Sequence, residues 1–292
     1  MTGVSNYSAD YMLNWLSGSL AMPAAPSVYL AMFTGVGTDA GSGFTEVTGG
    51  SYARVQVAGS VATSATTSTS SATLTFTSVP SWIVAGMQVL DATTPSAITG
   101  AQTVLSTTPT TVVLSANVNA TVGSGDTIRF SAFGAASGTA PSVITNSAAI
   151  TFAQATASWG TVLAFGLYDA LSSGNLLAWD FLGSYNWLPC TVSSASPGVI
   201  TAHAHGYTVS SNVVFSTEYG GTAPTYSQST MASYAILVPA NVTTDTFTVT
   251  NGGTAVNTSS TGDGMIRAVL EQLIPINATT NFPASSLNVS LA

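Results

Sequence analysis

The sequence contains no lysine, and its only cations besides two histidines are Arg54, Arg129 and Arg267. Three separated guanidinium groups cannot neutralise a run of phosphates, so charge argues against a nucleic-acid partner. The same shortage argues against a polybasic hold on anionic lipid. Charged residues make up 5% of the chain, against roughly 25% in an ordinary soluble domain. Long hydrophobic runs are missing as well. Mean hydropathy is +0.41, yet no stretch approaches the ~20 apolar residues of a spanning helix. No membrane partner is therefore expected. The first twenty residues have no basic stretch and carry Asp10, which does not fit a secretory signal. Cys190 is the single cysteine, so no intramolecular disulfide can form. Beside Pro189 it reads as a structural thiol.

What the chain does have is apolar residues (46%) and aromatics (9%) spread over 292 positions. That is enough to bury a sizeable core in about two domains of roughly 150 residues. Short apolar runs set in Ser, Thr and Gly predict a mainly β fold. One short N-terminal helix is expected. Ser5 or Asn6 caps it, Tyr7, Tyr11 and Trp15 fall on one stripe, and Gly18 ends it. That stripe either packs on the protein's own sheet or docks on a neighbouring subunit.

Strands are expected at 28–33, 52–57, 162–168 and 176–179, with a closing strand at 287–291. Residues 61–73 read as a low-complexity linker into a compact block of about five short strands. Residues 131–141 read as the exit from it. A second block runs from 190 to 268, with Gly262-Asp-Gly264 as a turn. The strings SNYSADYMLNWL, GGSYARV, WGTVLAFGLYDA (159–170) and GNLLAW (174–179) carry a resemblance to a small virion protein of tailed bacteriophages, labelled tail-fibre or head-decoration protein.

That resemblance implies a β-sandwich or barrel base domain formed by 1–59, 132–189 and 270–292. Residues 60–131 and 190–269 are then two inserted small β domains. Strand 287–291 should pair beside a strand from 28–57 or 162–179. Deleting 61–131 should leave a soluble protein, since loop closure costs only about 0.6 kcal/mol per doubling of length.

Little in the sequence points to catalysis. His203 and His205 would share a face on a strand, a spacing compatible with metal, but no third ligand stands near them. Asp169 and Asp180 flank a hairpin and could serve as a glycosidase pair, though loop aspartates are ordinary turn formers. No catalytic, metal or cofactor residue is assigned, and no enzyme activity is expected. Tyr7, Tyr11 and Trp15 are the expected oligomer or virion contacts. Trp187, Tyr207, Tyr219 and Tyr226 are the expected receptor or glycan contacts, because aromatics supply rigid contact area. The resemblance implies a structural protein on the virion surface, a capsid decoration (cement) or head-fibre protein, or else a tail-fibre adhesin. Its partners would be the major capsid protein or tail proteins, two further copies in a homotrimer, and a host-surface glycan.

Overall fold

A computed structural model describes residues 4–21, 24–138, 142–183, 186–217, 220–226 and 234–291. The fold is mainly β, with one short helix, α1 (Asn6–Leu16), at its start. The next strands are β1 (Val28–Gly35), β2 (Thr45–Glu46), β3 (Val55–Ala62), β4 (Thr73–Thr75), β5 (Gln88–Asp91), β6 (Val104–Thr107), β7 (Thr111–Leu114) and β8 (Thr127–Ser131). The middle of the chain adds β9 (Ser142–Thr145), β10 (Ile150–Thr151), β11 (Gly160–Val162), β12 (Ala164–Tyr168) and β13 (Leu176–Phe181). Then come β14 (Leu188–Val192), β15 (Val199–Thr201), β16 (Asn212–Ser216), β17 (Val238–Ala240), β18 (Thr246–Asn251), β19 (Thr254–Ala255) and β20 (Gly262–Val269). The last are β21 (Gln272–Ile274), β22 (Asn281–Phe282) and β23 (Asn288–Leu291). Among the described residues no helix is long and apolar enough to cross a membrane.

The first large sheet has the antiparallel order β13-β12-β1-β3-β8-β5, with β2 attached to β1. Its central strand explains the unbroken apolar run at 28–33. Successive side chains of a strand point to opposite faces. Leu30 and Met32 enter one core with Val57, Phe165 and Leu167. Ala31 and Phe33 enter another with Ala164, Tyr168, Trp179 and Phe181. A strand buried on both faces has no solvent side, so it loses its alternation.

The sheet continues through the expected boundary at 59/60, which falls inside β3. Five consecutive register pairs, from Ala58↔Ser131 to Ala62↔Thr127, join β3 to β8. Leu74, Phe76, Val112, Ile128 and Phe130 belong to the same core as Leu30 and Val57. Residues 61–73, expected as a linker, are pinned to the core at two points. Thr63 and Thr67 are buried because their hydroxyls reach carbonyls, Thr63 Oγ1 to Gly123 O at 2.6 Å and Thr67 Oγ1 to Thr73 O at 3.0 Å. Threonine with a backbone acceptor buries at little cost, so a stretch that is otherwise mostly exposed still anchors through these two side chains. Likewise Ala132 and Phe133, expected in an exit linker, are buried.

The second large sheet has the order β16-β20-β14-β15-β18-β17, with β19 on β18. Gly262-Asp-Gly264 is not a turn but the start of β20. A side chain at Gly264 would come within 2.9 Å of the Phe215 ring and 2.6 Å of Ser216 O. The glycine is there for close strand packing. Val214, Tyr234 and Val269 from this half meet Phe33, Trp179 and Phe181 in one aromatic seam between the two sheets.

The closing strand also departs from expectation. β23 pairs with β9, from Asn288↔Thr145 to Leu291↔Ser142, and not with 28–57 or 162–179. β22 pairs with β10, and β21 with β11. The tail of the chain thus lies along the segment 142–162.

Candidate functional site

The strings that carry the resemblance come together in one network. Trp159 Nε1 donates to Gly50 O at 2.9 Å, and its ring meets the Tyr52 ring edge-on at 5.4 Å. The Tyr52 hydroxyl donates to Glu46 at 3.0 Å and accepts from Met32 N. Burial pushes that hydroxyl far above its ordinary value. Arg54 pairs with Glu46 at 2.8 Å and donates to the carbonyls of Ala170 and Ser173. Its guanidinium lies 3.6 Å over the Tyr168 ring. Asp169 accepts from the backbone and side chain of Asn175. A side chain at Gly166 would meet the Phe33 ring at 2.7 Å. These residues therefore build the β12–β13 hairpin and lock it to β1–β3. Their work is structural.

The hairpin in turn carries α1. Ser5 N donates to Leu177 O at 3.0 Å, Ser5 Oγ donates to Leu176 O, and Asn6 N donates to Asp39 O at 2.9 Å. Ser5 Oγ also caps the helix by accepting from Ser8 N. Beyond this tether the helix stands outward, and none of its residues is buried. Leu13 is 63% and Leu16 76% exposed, and Tyr7, Met12 and Trp15 are exposed as well. Tyr7 and Tyr11 lie against each other with ring centroids 5.6 Å apart.

Between the helix and the segment Ala24–Pro26 runs an apolar cleft of about 440 Å³. Tyr7, Tyr11, Met12, Trp15, Val28 and Leu177 line it. Arg129 fixes its far wall by donating to Ala25 O and Pro26 O. An apolar cleft beside a helix whose leucines are exposed is a candidate contact site. The helix stripe expected at Tyr7, Tyr11 and Trp15 thus lines this cleft opposite Val28 of β1 and Leu177 of β13 without being buried against the sheet. All three arginines are committed inside the chain: Arg54 to Glu46, Arg129 to the cleft wall, Arg267 to Asp180.

The expected receptor residues lie elsewhere and do not form one surface. Trp187 packs against Phe181 and Tyr234 in the seam. Tyr207 stacks on His205, meets Phe247 edge-on and donates to Ile266 O. Tyr226 is half-buried against the core of the second sheet. Tyr219 lies outside the described residues.

The chemical candidates are also separated. His203 faces solvent and pairs with Asp245 at 3.0 Å. The Ala204 N–H and then His203 hold Asp245 below the usual carboxylate range. His205 turns inward, its Nδ1 accepting from Tyr207 N at 2.9 Å. Ala204 between them has φ 48°, so the segment is a turn and the two imidazoles share no face. Among the described residues no three His, Cys, Asp or Glu are grouped to hold a metal. Asp169 and Asp180 sit at opposite ends of the β12–β13 hairpin, the first bound to Asn175 and the second to Arg267.

A protein-family model described as Gp80, Podophage GP4 fiber I protein gp80, matches residues 3–136 and 115–186, which together are more than half of the chain. The match runs through residues 60–131 and ends at the start of the second sheet. No curated protein and no solved structure matches the chain.

Proposed function

Since this chain belongs to the podophage GP4 fiber I protein gp80 family, a family of phage fibre proteins on the virion exterior, we propose that it is a head-fibre or capsid decoration (cement) subunit held to its partners through α1. One observation carries this reading. The one helix among the described residues is tethered at its first turn, has no buried residue, and lines an apolar cleft with Tyr7, Tyr11 and Trp15. A monomer gains nothing from that exposure, while a subunit in an assembly buries it at about 25 cal/mol per Å².

With every arginine engaged internally and no lysine, the contact is apolar and draws on backbone, Ser and Thr hydrogen bonds. The proposed assembly is a homotrimer seated on the major capsid protein, and its role is structural with no catalytic step. The inward packing of Trp187, Tyr207 and Tyr226 favours this over an adhesin that reads a host glycan with those rings. Residues 60–131 and 190–269 stay in the proposal as two elaborations of the base, the first sharing its sheet.

The test is the number of copies per particle, by quantitative mass spectrometry of purified virions with immunogold labelling. Copies in the hundreds on the head agree with decoration or a head fibre. A handful at the tail overturns it in favour of the tail-fibre adhesin.

A further inference from the structure

Asp91 closes β5 and is fully buried. Its Oδ1 accepts from Thr93 N at 2.9 Å and Thr94 N at 2.8 Å. Its Oδ2 is buried with no hydrogen-bond donor among the described residues. The turn that follows wraps the start of β8, with Ala92 N donating to Thr127 O and Thr127 N donating to Thr93 Oγ1. This brings the Asp91 carboxylate within hydrogen-bonding reach of Asp126, which is itself half-buried and accepts from Gly123 N at 2.6 Å. Two carboxylates thus face each other, one with a buried oxygen that has no donor among the described residues.

Asp126 is the titratable neighbour of Asp91. The nearest arginine in the sheet, Arg129, stands opposite Leu90 and spends its guanidinium on Ala25 and Pro26.

We propose that Asp91 and Asp126 form a proton-binding site, with a single proton held between Asp91 Oδ2 and the Asp126 carboxylate. The proton supplies the missing donor and removes one of two like charges at a position closed to solvent. Burial first, and then Asp126, raise the Asp91 carboxyl above its ordinary value. The site joins the end of β5 to the turn that starts β8, the two strands that complete the first large sheet. A group whose folded value is raised adds stability below its unfolded value, and that stability is lost as pH rises through the folded value. The sheet is therefore tightened by acid and loosened toward alkaline pH.

The experiment melts the full chain from about pH 4 to about pH 8, for wild type, Asp91→Asn and Asp126→Asn. An asparagine at 91 keeps the Oδ1 acceptor and gives Asp126 an N–H, imitating the protonated pair. The expected result is a wild-type melting temperature that rises as pH falls. Asp91→Asn should melt no lower than wild type near neutral pH and show a flatter pH profile. Infrared spectra should carry a protonated-carboxyl band that titrates above the ordinary carboxylate range and is absent from Asp91→Asn. If Asp91→Asn does not fold, a flattened profile in Asp126→Asn still supports the site. Loss of stability near neutral pH in both variants, or failure of both to fold, overturns it. So does a calcium-dependent rise in the wild-type melting temperature that either substitution abolishes, which would assign the pair to a metal ion.

Discussion

Arg267 on β20 donates to Asp180 on β13 at 2.8 Å, and this ion pair ties the second large sheet to the first. The guanidinium is only 3% exposed and lies 5.3 Å from the Phe181 ring centre and 5.5 Å from that of Trp187. Removing one partner of a buried pair takes away the opposite charge on which the other leans. Asp180→Ala is expected to cost about 3 kcal/mol by urea unfolding, at the lower end of such losses because Asp180 is itself partly exposed. Arg267→Met retains apolar volume in the seam and should cost less. A loss from Asp180→Ala below about 1 kcal/mol would mean that the aromatic seam alone joins the sheets.

The outer face of α1 should matter to assembly and not to folding. Trp15→Glu combined with Leu16→Glu changes exposed positions, so the unfolding free energy should move by no more than about 0.5 kcal/mol. The same variant should sediment as a smaller species than wild type. Raising salt should leave the wild-type assembly intact or strengthen it, because eleven carboxylates per chain repel across copies. A wild type that is monomeric throughout, or one that dissociates as salt rises, contradicts an apolar helix contact.

Much of the first sheet could be read in the sequence because its strands carry strong local signals. The run at 28–33, the hairpin at 162–179 and the cap at Ser5 all reflect contacts near in sequence or burial on both faces. The grouping of GGSYARV with WGTVLAFGLYDA was visible only as resemblance. Its physical content, Arg54 over Tyr168 and Trp159 on Gly50, spans more than a hundred positions. The anchoring of 61–73 at Thr63 and Thr67 was illegible because buried threonines satisfied by carbonyls have the same letters as a linker. The partner of 288–291 was equally hidden, since alternation shows that a strand exists and not which edge it joins. At the candidate site, the aromatic stripe was legible, but the cleft that it lines depends on a tether to Leu176, Leu177 and Asp39.

The second sheet should lose stability in alkali. Burial, and then the Asp263 carboxylate, push the Cys190 thiol up to about 12. Burial, and then a charged Cys190, push the Tyr207 and Tyr226 hydroxyls up to about 12. Each folded value lies above the unfolded one, so the neutral forms contribute their full stability below about pH 9. That contribution is lost as pH rises from there toward about 12. Circular dichroism with pH should show this loss, and native Cys190 should resist a thiol reagent at neutral pH until the protein is unfolded. Rapid labelling of the native protein would contradict the burial.

Deleting 61–131 across a short Gly/Ser bridge should abolish soluble expression, the reverse of what the sequence suggests. The deletion removes β8, the partner of β3, and strips Phe76, Ile128 and Phe130 from the core around Leu30 and Val57. Recovery of a folded, monodisperse product would show that the first sheet tolerates an open edge there.

The pairing of β21, β22 and β23 with β11, β10 and β9 also governs how the subunit is made. Thr145 Oγ1 donates to Asn288 Oδ1 across 143 positions. While a ribosome synthesises the second sheet, β9, β10 and β11 each wait with the edge that the later strands will cover. Open strand edges recruit other chains. A product that stops before residue 272 keeps those edges and is drawn into aggregates. Residues 272–291 therefore cover, late in synthesis, backbone that the earlier strands leave open.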